Sequence, residues 1–197
     1  MRRSLRIVVA DDEPEMLTYF QETLQELGCR VVATAADGQA LVELCRVERP
    51  DLVITDIKMP GLDGIDAAKE ITAEMAVPVI LISAYHDSEL LERAETDHIM
   101  AYLIKPIKSP HLEAAIGIAI RRFRQFETFK KEAGDLKQAL EDRKLIERAK
   151  GVLMKETGLD EEAAFKRLQE LASTRHRKMA EIAGMILTMR DALEPGK

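Results

Sequence analysis

Short β-branched runs alternate with amphipathic segments along the first part of the chain. The runs are Leu5–Ala10, Arg30–Ala35, Leu52–Thr55, Val77–Ser83 and Ile99–Ile104. Ile7-Val8-Val9, Leu52-Val53-Ile54 and Val79-Ile80-Leu81-Ile82 are continuously apolar, the pattern of parallel strands buried on both faces. Between the runs, segments at 14–27, 38–48, 64–75 and 88–96 repeat apolar residues at helical spacing, as Met16, Phe20, Leu24 and Leu27 do. Ser109-Pro110 marks the start of a further helix, a capping residue followed by a proline in the first turn. This order of elements predicts an α/β fold with an open, doubly wound, five-stranded parallel sheet. Such sheets bind ligands outside the carboxyl ends of their strands.

From Ser109 onward the period stays helical. Leu112, Ala115, Ile116, Ala119, Ile120 and Phe123 form one stripe that closes the core of the sheet domain. Phe126, Phe129, Ala133, Leu136 and Leu140 then alternate spacings of three and four, a coiled-coil seam of about two heptads. Gly134 weakens that helix by roughly 1 kcal/mol relative to alanine. The seam predicts a dimerisation helix or, alternatively, a face packed on its own domain. Thr157-Gly158 and Ser173-Thr174 interrupt the pattern. Gly158 is placed to end a helix, and Asp160 and Thr174 are placed to cap the next two. Helices are expected near 136–156, 161–172 and 175–193, burying Leu145, Ile146, Ala149 and Leu153, then Ala164, Phe165, Leu168 and Leu171, then Met179, Ile182, Ala183 and Ile186. The predicted organisation is a sheet domain at 1–122, a helical linker or coiled coil at 123–135 and an all-α three-helix bundle at 136–197.

Composition sharpens this division. All seven prolines lie at or before Pro110 or at Pro195, leaving a long span free of helix breakers. Residues 1–120 carry a net charge of −10 and residues 121–197 one of +4, within a total of −6. An acidic module is therefore joined to one suited to an anionic partner. With 46% apolar residues the chain has material for a core, and no apolar stretch approaches the ~20 residues of a membrane span. Cys29 and Cys45 offer neither a disulfide framework nor metal spacing, and the four histidines fit no zinc pattern. The apolar run at the N-terminus is short and closed by Asp11-Asp12, unlike a signal peptide, so a cytoplasmic protein is expected.

The strand ends carry the candidate chemistry. Asp11-Asp12 follows the first strand, Asp56 the third, Ser83 the fourth and Lys105-Pro106 the fifth, and the topology gathers them at one edge of the sheet. Clustered carboxylates raise one another's pKa. A hard cation such as Mg²⁺ relieves that cost, while Lys105 and Ser83 suit the oxygens of a phosphoryl group that a carboxylate could attack. The motifs V-A-D-D-E-P, D-I-K-M-P-G-L-D-G and A-Y-L-I-K-P, at these spacings, resemble the receiver domain of two-component response regulators over residues 5–122. The resemblance implies a flavodoxin-like fold, Asp56 as phosphoacceptor, and Mg²⁺ held by Asp11, Asp12, Asp56 and the backbone carbonyl of Lys58. It further implies Ser83 and Tyr102 as switch residues, Lys105 as the phosphate-contacting ammonium, a cis Lys105-Pro106 bond and a sensor histidine kinase as partner. A regulator is implied rather than an enzyme, beyond gaining and losing its own phosphoryl group.

The bundle is basic in patches, which by itself suits either an anionic partner or an ordinary solvated surface. The segments A-L-E-D-R-K-L-I-E-R-A-K-G-V-L-M, E-E-A-A-F-K-R-L-Q-E-L-A and R-K-M-A-E-I-A resemble the ANTAR domain over about residues 136–190. The chain departs from that family's pattern at Gln169-Glu170, where a basic residue is frequent, and at His176, where asparagine is common. The resemblance implies binding of RNA hairpins in leader transcripts and transcription antitermination. Arg143, Arg148, Lys150, Gly151, Arg167, Arg175 and Lys178 are the candidate RNA-binding residues. Mid-helix Gly151 suggests close approach by a neighbouring helix or by RNA. A homodimer formed on phosphorylation is expected to present the bundle. Alternatively, the helical output binds DNA or a protein, although Asp160-Glu161-Glu162 would place three acids at the start of a DNA-recognition helix.

Overall fold

The computed structural model describes residues 4–84 and 98–193, with the side chains of 192 and 193 left aside. The expected helix at 88–96 lies outside the described residues. The elements are β1 (Arg6–Ala10), α1 (Pro14–Glu26), β2 (Arg30–Ala35), α2 (Gly38–Glu48), β3 (Leu52–Asp56), α3 (Gly64–Glu74), β4 (Val79–Ser83) and β5 (Ile99–Ile104). Three helices follow, which we number α4 (Ser109–Thr157), α5 (Glu161–Thr174) and α6 (Met179–Leu193). The chain divides into two compact units, 1–127 and 128–197.

The first unit is the predicted doubly wound sheet, with all neighbours parallel in the order β2-β1-β3-β4-β5. The continuously apolar strands β3 and β4 are buried along their whole length because both faces are covered. On one face Val8, Val53, Val79 and Leu81 pack with Leu41 and Val42 of α2 and Ile65 and Ile71 of α3. On the other, Ile7, Ile54, Ile80 and Ile82 pack with Phe20 and Leu24 of α1 and with Leu112, Ala115, Ile116 and Ala119 of α4. Asp37 and Asp63 cap α2 and α3 by accepting the Ala40 and Asp66 amides at 2.8 and 2.9 Å. Lys105-Pro106 is cis, as the family resemblance implies.

In the second unit Ala149 and Val152 of α4 pack with Leu168 and Ala172 of α5 and Ile182, Ala183 and Leu187 of α6. Three expectations need correction. The helix expected to begin near 136 is the last part of α4, which continues unbroken from Ser109 because no proline interrupts it after its first turn. Thr174 does not cap the last helix; it ends α5, where its hydroxyl donates to the Glu170 carbonyl at 2.8 Å. Phe165 is not in the core but 41% exposed, whereas Val152, Ala172 and Leu187 are buried. Gly158 (φ +73°) and Asp160, which accepts the Ala163 amide at 2.8 Å, end α4 and open α5 as expected. His176 takes φ +51°, the left-handed region in which Asn, Asp and His are enriched.

Candidate functional site

Because β1 lies between β2 and β3, the chain leaves β1 and β3 side by side, Ala10 opposite Thr55. Asp11 and Asp56 therefore emerge together at the carboxyl edge, where the crevice of a doubly wound sheet forms. The loops are tied to it by backbone bonds: Asp11 N–H donates to Ala35, Ile57 to Ile82 and Lys105 to Ser83, at 3.1, 2.9 and 2.8 Å. Gly64 makes the turn after β3 possible, since a Cβ there would stand 1.9 Å from the Asp56 carbonyl oxygen. The buried Thr55 hydroxyl donates to that same oxygen at 2.9 Å.

The Lys105 ammonium joins the acids. Its Nζ lies 3.0 Å from Asp11 Oδ2, 2.9 Å from Glu13 Oε1 and 3.5 Å from Asp56 Oδ1. The other oxygens accept backbone amides, Asp11 Oδ1 from Glu13 at 3.0 Å and Asp56 Oδ2 from Lys58 at 3.1 Å. Burial pushes the Asp56 carboxyl up to about 6; the Lys105 charge opposes this and the Asp11 charge adds to it. Burial raises Asp11 as well. Burial also disfavours the Lys105 charge, yet the bonds to Glu13 and Asp11 and the Asp56 charge outweigh it and hold the ammonium above its usual range.

These groups fit a hard divalent cation. Asp11 Oδ2 and Asp56 Oδ1 are buried and accept no well-aligned hydrogen bond. Ligand oxygens of Asp11, Asp12 and Glu13 lie within 4.8 Å of one another. Asp12 and Glu13 are exposed, so cation and solvent reach the site from that side. Ser83 is buried at the end of β4, and half-buried Tyr102 packs against the α2–α3 face of the sheet. All the candidates on the sheet thus lie on strands or strand ends as expected. Glu13 was not among the expected site residues, although it stands inside the V-A-D-D-E-P motif directly after the acid pair.

The bundle candidates divide differently. Arg143, Arg148, Gly151, Arg167, Arg175 and Lys178 are exposed, Arg167 within 3.6 Å of Glu170. Lys150 departs from the expectation of a free surface cation: it is buried, with Nζ 2.9 Å from Glu147 and 2.8 Å from Glu161. Gly151 departs too, since a Cβ there would meet nothing and no neighbouring helix explains it. In the seam, Phe129, Leu136 and Leu140 are 68, 74 and 53% exposed, while half-buried Phe126 packs edge-on against His98 with ring centroids 5.5 Å apart.

Among known proteins, residues 7–117 match the response regulator receiver domain and residues 134–187 the ANTAR domain. The transcriptional regulatory protein PdtaR of Mycobacterium tuberculosis is 42% identical over 182 residues, covering 92% of this chain and 89% of that protein. A receiver domain from Clostridium thermocellum has 31% identity and a TM-score of 0.57 over 61% of this chain and 98% of its own. The receiver domain of the response regulator NarL from Mycobacterium tuberculosis has 28% identity and a TM-score of 0.56, over 60 and 97%. A carboxylate crevice closed by a lysine on a five-stranded parallel sheet, followed by a helical module that matches its own family model, places the chain among the two-component response regulators, as one that joins a receiver domain to an ANTAR domain.

Proposed function

We propose that the chain is a phosphorylation-controlled regulator that binds RNA hairpins in leader transcripts and causes transcription antitermination. The observation that carries this reading is the pairing of an Asp56 crevice lined by charged side chains with an ANTAR module in one chain. In this reading residues 1–122 receive the phosphoryl group, 123–135 link, and 136–197 bind RNA in the cytoplasm. Asp56 attacks the phosphorus of a kinase phosphohistidine; a P–O bond forms, the P–N bond breaks, and the imidazole leaves. Asp11, Asp12, Asp56 and the Lys58 carbonyl would hold Mg²⁺, which when bound neutralises charge on the transferring phosphoryl oxygens. Lys105 turns from its carboxylates to the new phosphoryl group, and Ser83 and Tyr102 respond to it. The charge so placed must bias a two-state element, and the Phe126–Leu140 seam, exposed at Phe129, Leu136 and Leu140, supplies one if two copies pair along it.

The test uses the full chain, a small phosphodonor and Mg²⁺. The wild type is expected to gain an acid-stable, base-labile phosphoryl group and Asp56→Asn none, because an amide is a poor nucleophile. Phosphorylated chain should then bind stem-loop RNA more tightly than duplex DNA across a salt series. Normal labelling of Asp56→Asn, or equal affinity for duplex DNA, counts against the reading.

A further inference from the structure

Lys150 is the one buried charged side chain among the described residues of the second unit. Its Nζ bonds Glu147 one turn earlier on α4 and Glu161 in the first turn of α5, both more than half exposed. The three charges sum to −1, so an approaching phosphate meets carboxylates there rather than a cation. Those bonds raise the Lys150 pKa, that to Glu161 first. The exposed side of α4 offers a different face. Lys144, Arg148, Gly151 and Lys155 follow at intervals of four, three and four, so they line one stripe. All four are exposed. Lys144 is paired with Glu141 at 2.8 Å, while Arg148 and Lys155 are in no ion pair among the described residues. Gly151, in the middle of the stripe, opens on empty space. It is the one place on the stripe where a phosphate could approach the helix backbone.

Resting on the RNA-binding reading above, we propose that RNA phosphates are bound along the α4 stripe Lys144–Arg148–Gly151–Lys155. Lys150 is then a positioning residue that ties α4 to the start of α5 and touches no RNA. Such a stripe meets any hairpin stem through its backbone, because phosphate contacts carry no sequence information.

The experiment measures affinity of the full chain for a pool of RNA stem-loops with randomised loops, at several salt concentrations, beside thermal unfolding. Arg148→Ala and Lys155→Ala are each expected to weaken binding several-fold and to lower the slope of log affinity on log salt by about one, at unchanged melting temperature. Gly151→Leu should weaken binding in a folded chain. Lys150→Met should lower the melting temperature and the affinity while leaving the salt slope as in the wild type. A slope reduced by Lys150→Met in a folded chain overturns the assignment, as does an unchanged slope in Arg148→Ala and Lys155→Ala. Wild-type stability and affinity in Lys150→Met would remove its positioning role. A wild type with no affinity for the stem-loops overturns instead the RNA-binding reading itself.

Discussion

Asp56 is held in a state that favours its own neutralisation. Its carboxyl titrates near 6 rather than 3.8 because burial opposes its charge. A folded-state value above the unfolded one stabilises the chain fully below about pH 4, and that contribution is lost as the pH rises through 6. In metal-free buffer the melting temperature should therefore fall between pH 5 and 7.5, and Asp56→Asn should flatten the fall by about 1.4 kcal/mol of stability. Added Mg²⁺ should recover more stability at pH 7.5 than at pH 5. Asp12→Ala removes an exposed acid, so the fold should survive while Mg²⁺ affinity, read by titration of the melting temperature, drops. At this scale the strand-end residues were legible, because a parallel sheet brings residues from distant positions to one edge. Glu13 and Lys150 were not. Glu13 reads as an ordinary acid just ahead of a first helix. Lys150 lies at the margin of its apolar stripe, and its decisive partner Glu161 is on another helix.

The strands were readable because burial on both faces makes them continuously apolar. The helix ends were harder, since serine and threonine serve as well inside a last turn as at a cap. Thr174 turns its hydroxyl back to Glu170, and the cap amide of Arg175 bonds Leu171. The turn then closes through Arg177 N–H to the Ala172 carbonyl at 3.0 Å. Two helical glycines separate the uses of that residue. Gly64→Ala would drive a Cβ into the Asp56 carbonyl, and should cost stability, slow phosphorylation, or both. Gly151→Ala meets open space and should raise stability by about 1 kcal/mol through propensity alone. Chemical unfolding of both variants checks the opposite signs.

Across the whole molecule, acidic and basic charge are segregated, −10 over residues 1–120 and +4 beyond. Composition alone reveals that asymmetry, and proline spacing reveals the long helical part. What the sequence left open was whether the seam packs on its own domain, since a stripe of apolar residues looks the same in either setting. Phe126 packs edge-on against His98 of the sheet unit, whereas Phe129, Leu136 and Leu140 are exposed. Phe129→Asp with Leu136→Asp should keep the phosphorylated chain monomeric in sedimentation, under conditions in which the wild type is expected to shift toward dimer. Every residue from 128 to 141 is exposed, so this part of α4 has its helix bonds and no core behind it. A helical stretch of that length is marginal in water without tertiary support. Its amides should accordingly exchange hydrogen for deuterium sooner than those of the flanking turns, and a second copy laid along the seam should slow them. Deuterium uptake in this one peptide would then act as a clock on the signal, running fast in the resting chain and slow once Asp56 is phosphorylated.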